Sequence, residues 1–285
     1  MKLAFTTLGC PEWRIEDIPG RAKAYGFDGV ELRVADDGVH LRPDASADEV
    51  KRVADRFAGA GVPIFALCGY ASYSSAERKQ VQANQALTRR LIEIAAGLGA
   101  RAVRSYGGKF EKTQDRAAVA ARIAAALRPL ADEAHGRGVT IALETHSWWA
   151  RGDDMAAIIE QVGRPGSAGA KPGSAGAKPG VGVLFDVNNT FADTGEWRQT
   201  YQRIRPHIVY CHLKDGYKGA DGRGHHVMLG AGDLPLQEVL AQLKGDGFAG
   251  YLSFEWEKRW EPALAPPEEV FPQYVHKVRR VWDAV

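Results

Sequence analysis

Residues 181–187 read VGVLFDV, a short run of apolar residues and glycine with an aspartate, Asp186, as its last residue but one. Short β-rich runs of this kind are typical of strands, and several of them at regular intervals indicate a sheet. Seven more such runs occur along the 285 residues, at 2–6, 29–33, 63–68, 101–105, 139–145, 207–213 and 250–256. The chain is therefore predicted to contain eight strands.

The segments between these runs have a helical period. Apolar residues return every three or four positions in 47–60, 76–98 and 113–135, as in amphipathic helices. Shorter candidates are 153–162, 196–204, 235–244 and 268–284, and the segment 14–25 is a weaker one because Pro19 interrupts it.

Eight strands that alternate with about eight helices predict an α/β protein, a single (β/α)8 TIM barrel over residues 1–285. An open, doubly wound sheet is the alternative. Such a sheet usually has a glycine-rich phosphate turn after its first strand, and residues 6–10 (TTLGC) are not one. The closed barrel is favoured.

One segment departs from this alternation. The heptad GSAGAKP occurs twice in tandem at 166–179, and its composition predicts a flexible, solvated loop at about 164–180. The loop would enter at the N-terminal face of the barrel, where insertions seldom carry chemistry. An inert insertion by local duplication is favoured over a contact for a partner subunit.

The bulk composition excludes several classes of protein. A chain with 45% hydrophobic and 25% charged residues is expected to be globular, and a net charge of +2 without charge blocks disfavours nucleic acid or anionic lipid as a partner. Three widely spaced cysteines suit reduced thiols rather than disulfides or a zinc ribbon. The opening MKLAFTTLG has no signal-peptide pattern and no run of about 18 apolar residues occurs, so we expect a soluble, cytoplasmic protein with no membrane partner. The helix at 76–98 and the C-terminal segment HKVRRVWDAV (276–285) could pack on a second copy in a homo-oligomer.

Reactive groups of such barrels project from the C-terminal ends of the strands. The fifth to eighth predicted strands end in Glu144, Asp186, His212 and Glu255. A single acid in this position is often an N-cap or a solvated charge. Four consecutive strand ends are different, because an unpaired buried carboxylate costs several kcal/mol unless a cation compensates it. Three carboxylates and one imidazole predict one divalent metal ion, with Mn, Mg or Co favoured and Zn as a further candidate.

Several motifs together resemble one known group of proteins. They are GFDGVELR (26–33), ALETH (142–146), LFDVNN (184–189), HLKD (212–215) with the later turn Gly230-Ala231-Gly232, and YLSFEWE (251–257). The chain resembles the xylose-isomerase-like TIM barrel superfamily, the sugar phosphate isomerase/epimerase family. This superfamily includes ketose 3-epimerases, hydroxypyruvate isomerases, inosose dehydratases and apurinic endonucleases.

The resemblance implies that Glu144, Asp186, His212 and Glu255 bind the metal and that Glu144 and Glu255 also form an acid/base pair. Glu257 is the alternative to Glu255 if the strand register differs by one inward position. Asn189 stands where the endonucleases and several epimerases carry histidine, which disfavours DNA repair and leaves that substrate contact open.

The chemistry expected of this site is proton abstraction next to a carbonyl of a sugar or keto-sugar, through a metal-stabilised enediolate. Return of the proton to the opposite face epimerises the carbon, and return to the adjacent carbon isomerises the sugar. A keto-sugar or inosose-type dehydratase is the alternative, and a non-catalytic sugar-binding barrel is a third reading. No phosphate nest is recognised after the seventh and eighth strands, which favours an unphosphorylated substrate.

Five residues are predicted to contact substrate. His146 could hydrogen-bond a hydroxyl, or could act as a capping histidine. Lys214 could place a positive charge near the enediolate oxygen, or could pair with a neighbouring acid. Glu31, which resembles an acid common in the family, could instead pair with Arg33 or Arg104.

The other two lie in a glycine-rich loop after the seventh strand, where the superfamily often keeps a basic residue. Arg223 and His225 are the candidates there, with His226 as a third, and a mobile solvated loop is the alternative. The sugar pocket could also have an aromatic wall, unless the residues concerned pack in the core. They are Trp13, Trp148, Trp149 and Trp256.

Overall fold

The computed structural model of the protein describes residues 1–111, 113–163, 180–220, 222 and 224–285. Eight parallel strands close into a barrel in the order β1-β10-β7-β6-β5-β4-β3-β2. The strands are β1 (Lys2–Thr6), β2 (Gly29–Arg33), β3 (Ile64–Cys68), β4 (Ala102–Tyr106), β5 (Thr140–Glu144), β6 (Gly180–Asp186), β7 (Ile208–Leu213) and β10 (Tyr251–Phe254). The predicted (β/α)8 TIM barrel is confirmed. The tandem repeat lies outside the described residues.

Helices fill the connections between these strands. They are α1 (Ile18–Tyr25), α2 (Ala47–Ala60), α3 (Arg78–Leu98), α4 (Arg116–Gly136), α5 (Gly152–Val162), α6 (Val187–Thr194), α7 (Trp197–Ile204), α8 (Leu236–Gly245) and α9 (Pro267–Ala284). Pro19 does not interrupt α1, because it lies in the first turn, where the missing amide hydrogen has no helical partner to lose.

Two elements at the C-terminal face were not predicted. One is the short helix α6, which begins directly after β6 and has Asp186 as its N-cap. The other is an antiparallel hairpin of β8 (Asp215–Lys218) and β9 (Gly224–Val227), which follows β7 after a single residue. Both border the mouth of the barrel.

The sequence around β2 explains how that strand is held in register. Gly26 ends α1 with a φ of +84°, a left-handed conformation that other residues adopt only with strain. At Gly29 a Cβ would lie 2.9 Å from the ring of Tyr251, so only glycine lets β2 approach its surroundings so closely. All five residues of β2 are buried, and Glu31 and Arg33 lie at its C-terminal end.

The barrel interior is a small apolar layer, separate from the larger core between strands and helices. Alanines at 4, 66, 102 and 142 leave room there for the rings of Phe65 and Tyr210. The Tyr210 hydroxyl points towards the C-terminal mouth, where it meets the side chain of Glu31. Among the described helices none is long and apolar enough to cross a lipid bilayer.

Candidate metal centre

Four neighbouring strands deliver the predicted ligands to one place. Glu144 and Asp186 are the last residues of β5 and β6, His212 lies near the end of β7, and Glu255 directly follows β10. Because the strands are parallel and adjacent, their carboxyl ends meet at the same mouth, with Asp186 level with His212. All four side chains are buried, and one ligand-type atom of each lies within 4.8 Å of the others. The structure thus brings the four together.

The distances from His212 to the three carboxylates are longer than those of ordinary hydrogen bonds and suit a shared ion. His212 Nδ1 lies 3.6 Å from Glu144 Oε1, 3.8 Å from Asp186 Oδ2 and 3.4 Å from Glu255 Oε2. Within the described residues, Glu144 Oε1, Asp186 Oδ2 and His212 Nδ1 have no hydrogen-bond partner although they are buried. Buried polar atoms are rarely left in this state. Carboxylate oxygens and an imidazole nitrogen that face one point are the donor set of a divalent cation, so the residues fit a metal ion.

The charge balance of the cluster agrees with this fit. Four buried carboxylates surround it and only two buried, permanently charged cations accompany them, a difference that a divalent ion would offset. The carboxylates are those of Glu31, Glu144, Asp186 and Glu255, and the cations are Arg104 and Lys214.

Nearby cations keep two of the carboxylates ionised. Burial raises the pKa of Glu144, but the charges of Arg104 and His212 outweigh it and lower this pKa to about 2. Burial also raises the pKa of Glu255, but the charges of Lys214, His212 and Arg104 outweigh this effect and hold the pKa well below its usual range. Both groups are bases at neutral pH.

The other two members of the cluster hold protons more readily. Burial raises the pKa of Asp186 to about 6, and the two glutamates of the cluster add to this against the opposing charge of Lys214. Burial alone would lower the pKa of His212, but Glu31 and the cluster glutamates raise it well above its usual value. A cation would therefore have to displace protons from this site.

Glu31 binds the ring nitrogen of His212 that points away from the cluster. Its carboxylate accepts hydrogen bonds of 2.8 Å from Tyr210 Oη, Ser253 Oγ and His212 Nε2. A proton on Nε2 leaves the Nδ1 lone pair of His212 facing the cluster, the arrangement in which a carboxylate orients a ligating histidine. Neither predicted alternative partner binds Glu31, because Arg33 pairs with Asp37 and Arg104 pairs with the cluster. These three bonds direct Glu31 towards His212, and its predicted contact with substrate stays a prediction.

Arg104 is the residue of the centre that sequence reasoning missed. Its Nε donates to Glu144 Oε2 over 2.6 Å, and its Nη2 lies 2.9 Å from Glu255 Oε1. The pattern of β4 contains the signal that could have found it. Alternation places Ala102 and Arg104 on the inward side of a buried strand, and a buried arginine requires an acidic partner.

Lys214 pairs with acids, as its alternative reading anticipated. The ammonium donates to Glu255 Oε2 over 2.5 Å and to Glu257 Oε1 over 2.8 Å, and lies 3.2 Å from Asp186 Oδ2. Glu257 is outside the four-residue cluster, so the register places Glu255 and not Glu257 in it. Glu257 instead forms a half-buried group with His226 and Glu261.

The HLKD motif and the later Gly-Ala-Gly turn are joined by Asp215. This buried carboxylate accepts hydrogen bonds from the amides of Gly216, Gly230, Gly232 and Leu234, at 2.7–3.2 Å. A Cβ at position 232 would lie 2.3 Å from Asp215 Oδ1, which explains the glycine. The motif therefore fixes the loop at the barrel mouth.

The remaining predicted substrate contacts are outside the cluster. His146 is exposed and lines a cavity of about 540 Å3 beside the centre, together with Tyr70, Tyr106 and Trp148. His225 stacks on Tyr217 and lines a second cavity of about 430 Å3. Arg223 lies outside the described residues.

The predicted aromatic wall is mostly core. Trp13, Trp149 and Trp256 are buried in the hydrophobic core, as the alternative interpretation of these residues anticipated. Only Trp148 of the four predicted tryptophans lines the cavity that contains His146.

A family described as xylose isomerase-like TIM barrel matches residues 19–276 of the chain. The fold is also similar to solved structures, each at low sequence identity. A 3-keto-D-glucoside 4-epimerase from E. coli has a TM-score of 0.75 and 17% identity over 98% of this chain and 99% of that one. The IolI protein, solved with a zinc atom, has a TM-score of 0.79 and 20% identity over 100% and 99%.

A probable 3-DHS dehydratase from Bacillus anthracis has a TM-score of 0.71 and 17% identity over 97% of this chain and 99% of that one. Comparison with curated proteins found no match. At such identities the solved structures show a shared fold, and the chemistry has to be argued from the side chains.

Proposed function

Since the chain belongs to the xylose isomerase-like TIM barrel family, we propose that it is a divalent-metal-dependent isomerase or epimerase of a sugar or keto-sugar. One observation carries the proposal. Three buried ligand atoms, on Glu144, Asp186 and His212, face one point beside Glu255 and have no hydrogen-bond partner among the described residues. A site that served only stability would have paired them.

Glu144, Asp186, His212 and Glu255 would hold the metal. Mn, Mg or Co suits three carboxylates and one imidazole, and Zn is a further candidate, as in the solved IolI protein. A divalent cation there supplies Lewis acidity, which polarises the substrate carbonyl and stabilises the charge of the enediolate.

Glu144 and Glu255 are proposed as the acid/base pair. Their pKa values are lowered, so both are ionised and one of them can accept the proton from the carbon beside the carbonyl. For inversion, Glu144 takes the proton from one face of the carbon, and Glu255 delivers a second proton to the other face after it has received one from the Lys214 ammonium that touches its Oε2; the proton on Glu144 and the vacancy on Lys214 then exchange with solvent. For isomerisation, the glutamate that took the proton returns it to the adjacent carbon. Lys214, next to Glu255, puts a positive charge beside the reacting oxygens.

The substrate is proposed to extend from this centre into the cavity that His146 lines. His146 would contact a hydroxyl there, with Tyr106 and Trp148 as apolar surfaces. Glu31, Arg223 and His225 remain proposed substrate contacts, with Glu31 better placed to orient His212.

Dehydration of a keto-sugar or inosose is the second candidate. It begins with the same proton removal, and it needs an acid that protonates the departing β-hydroxyl. The Lys214 ammonium, which touches both Glu255 and Glu257, is such a donor and favours this candidate. Catalysis by either route would exclude a barrel that only binds sugars.

The test is solvent deuterium uptake by common ketoses, inososes and their phosphates with manganese-loaded protein. We expect exchange at a carbon beside the carbonyl, followed by an epimer or isomer in the NMR spectrum. An unsaturated product would identify a dehydratase instead. Manganese-loaded protein that binds these sugars without exchange would contradict the proposal.

A pair of variants tests the ligand set. Glu255→Gln is expected to abolish both manganese binding and exchange, whereas Glu257→Gln, two positions further on, is expected to keep manganese binding. The reverse result would move the site to Glu257.

A further inference from the structure

One guanidinium contacts both members of the proposed acid/base pair. We propose that Arg104 is the positioning residue of the centre, because it binds the outer oxygen of Glu144 and of Glu255 and so turns the other oxygen of each towards the metal position. This inference rests on the proposed function and adds a residue that neither the motifs nor the four-residue cluster contains.

The choice of oxygens supports this role. Arg104 contacts Glu144 Oε2 and Glu255 Oε1, at 2.6 and 2.9 Å. The oxygens nearest to His212 Nδ1 are the other two, Glu144 Oε1 and Glu255 Oε2, at 3.6 and 3.4 Å. Each carboxylate thus gives one oxygen to Arg104 and turns the other towards the centre, where Glu144 Oε1 has no hydrogen-bond partner among the described residues and Glu255 Oε2 also accepts from Lys214.

Arg104 is itself held in place on its other sides. Its Nη1 lies 2.8 Å from Cys68 Sγ, and the guanidinium stacks over the ring of Tyr106 with 4.5 Å to the ring centroid. The side chain is only 4% exposed. A planar group fixed in this way holds two carboxylates at a set angle, which the flexible ammonium of lysine cannot do.

Arg33 shows what a buried arginine without this role looks like. It is equally buried at the same end of the barrel, and it also stacks on Tyr70, but its fork binds Asp37 and not the cluster. The chain therefore offers a matched control, in which the same substitution is made at a buried arginine that does not bind the cluster.

The experiment compares Arg104→Lys with Arg33→Lys after both are loaded with cobalt. Arg104→Lys keeps the charge, so a purely electrostatic or stabilising role predicts little change. We expect kcat to fall about 100-fold with KM changed by less than about threefold, because a displacement near 1 Å misplaces the acid/base pair. The cobalt dissociation constant should rise about tenfold, and the visible cobalt spectrum should change. Arg33→Lys should keep the wild-type cobalt spectrum and cobalt dissociation constant, because its guanidinium binds Asp37 and Tyr70 and not the cluster.

The outcomes separate this inference from the function on which it rests. Wild-type protein that binds no cobalt would overturn the proposed function. Wild-type protein that binds cobalt, beside an Arg104→Lys variant with the same spectrum and kcat, would overturn the role of Arg104 alone.

A second measurement leaves position 104 intact in case that variant does not fold. In 15N spectra of arginine side chains, the Nε–H of Arg104 should exchange slowly and should shift on Glu144→Gln, whereas that of Arg33 should not move. If Glu144→Gln leaves every buried arginine Nε–H unchanged, the proposed clamp is wrong.

Discussion

Asp186 and Asp215 are two buried aspartates at the C-terminal ends of the neighbouring strands β6 and β7, and they differ in how many of their oxygens accept hydrogen bonds. Asp215 accepts four backbone amides, so its charge is fully met by the fold. Asp186 uses Oδ1 to cap α6, through the amide of Asn189, and leaves Oδ2 open: this atom has no hydrogen bond among the described residues, and the Lys214 ammonium lies 3.2 Å from it. Asp215 therefore serves the fold, whereas a buried oxygen without a hydrogen bond, as in Asp186, calls for a ligand.

The largest effect should come from removing the open carboxylate. In Asp186→Asn the cap of α6 is kept, since asparagine caps as well as aspartate, and only the charge is lost. Deuterium exchange should fall by about 10⁴-fold, because both metal binding and the base it positions are impaired. The free energy of unfolding without metal should equal or exceed that of the wild type at pH 7. A less stable metal-free variant would show that Asp186 serves the fold.

The satisfied carboxylate should behave in the opposite way. In Asp215→Asn an NH2 group replaces one carboxylate oxygen. This donor then faces backbone N–H groups that donate to Asp215 in the wild type, so those hydrogen bonds are lost. We expect the free energy of unfolding to fall by about 3 kcal/mol, the cost of breaking buried bonds to a charged group. Denaturant titration measures this loss, and manganese affinity of the folded protein should stay within about threefold. Loss of manganese binding with unchanged stability would reverse the comparison.

Glu31 tests whether a satisfied carboxylate can still act on the ligand set. Glu31→Gln keeps the volume but weakens its hold on His212 Nε2. Manganese affinity should fall about 10- to 100-fold, the usual effect of changing the group that orients a ligating histidine. Isothermal titration measures it, with Ser253→Ala as the control that removes another Glu31 contact and leaves His212 bonded. Equal losses in both variants would assign Glu31 to the fold.

These contrasts also mark how far the sequence alone could go. Strand positions and the four strand-end ligands follow from local patterns, because burial and alternation are properties of neighbouring residues. The partner of a buried group is not local. Tyr210 and His212 lie 179 and 181 residues from Glu31, and their contact depends on which strands close the barrel. Arg104 was named only as a possible partner of Glu31, and its contacts with Glu144 and Glu255 were missed for the same reason.

The hairpin and the short helix α6 were missed although their own hydrogen bonds are local. The hairpin lies in a segment that was interpreted as a glycine-rich loop, and α6 begins after Asp186, for which an N-cap was only the alternative to a metal ligand. Asp186 has both roles, one for each oxygen, and a sequence pattern does not divide a carboxylate in this way.

The smallest expected effect is the number of protons that the site releases when it binds a metal ion. Metal binding requires a neutral His212 and an ionised Asp186, whose pKa values are raised well above normal and to about 6 respectively. Above pH 6 one proton, from His212, should leave per bound ion, and below pH 6 a second should leave from Asp186. As the pH is lowered, manganese affinity should therefore fall about tenfold per pH unit down to pH 6, and more steeply, towards 100-fold per pH unit, below pH 6. Calorimetry in buffers of different ionisation enthalpy counts these protons.

Two variants serve as controls. In Asp186→Glu, which keeps a carboxylate but moves it, the pH at which the second proton begins to be released should shift, while in Asp215→Asn it should stay at 6. A proton count that is constant from pH 5 to 8 would mean that Asp186 is no more open than Asp215.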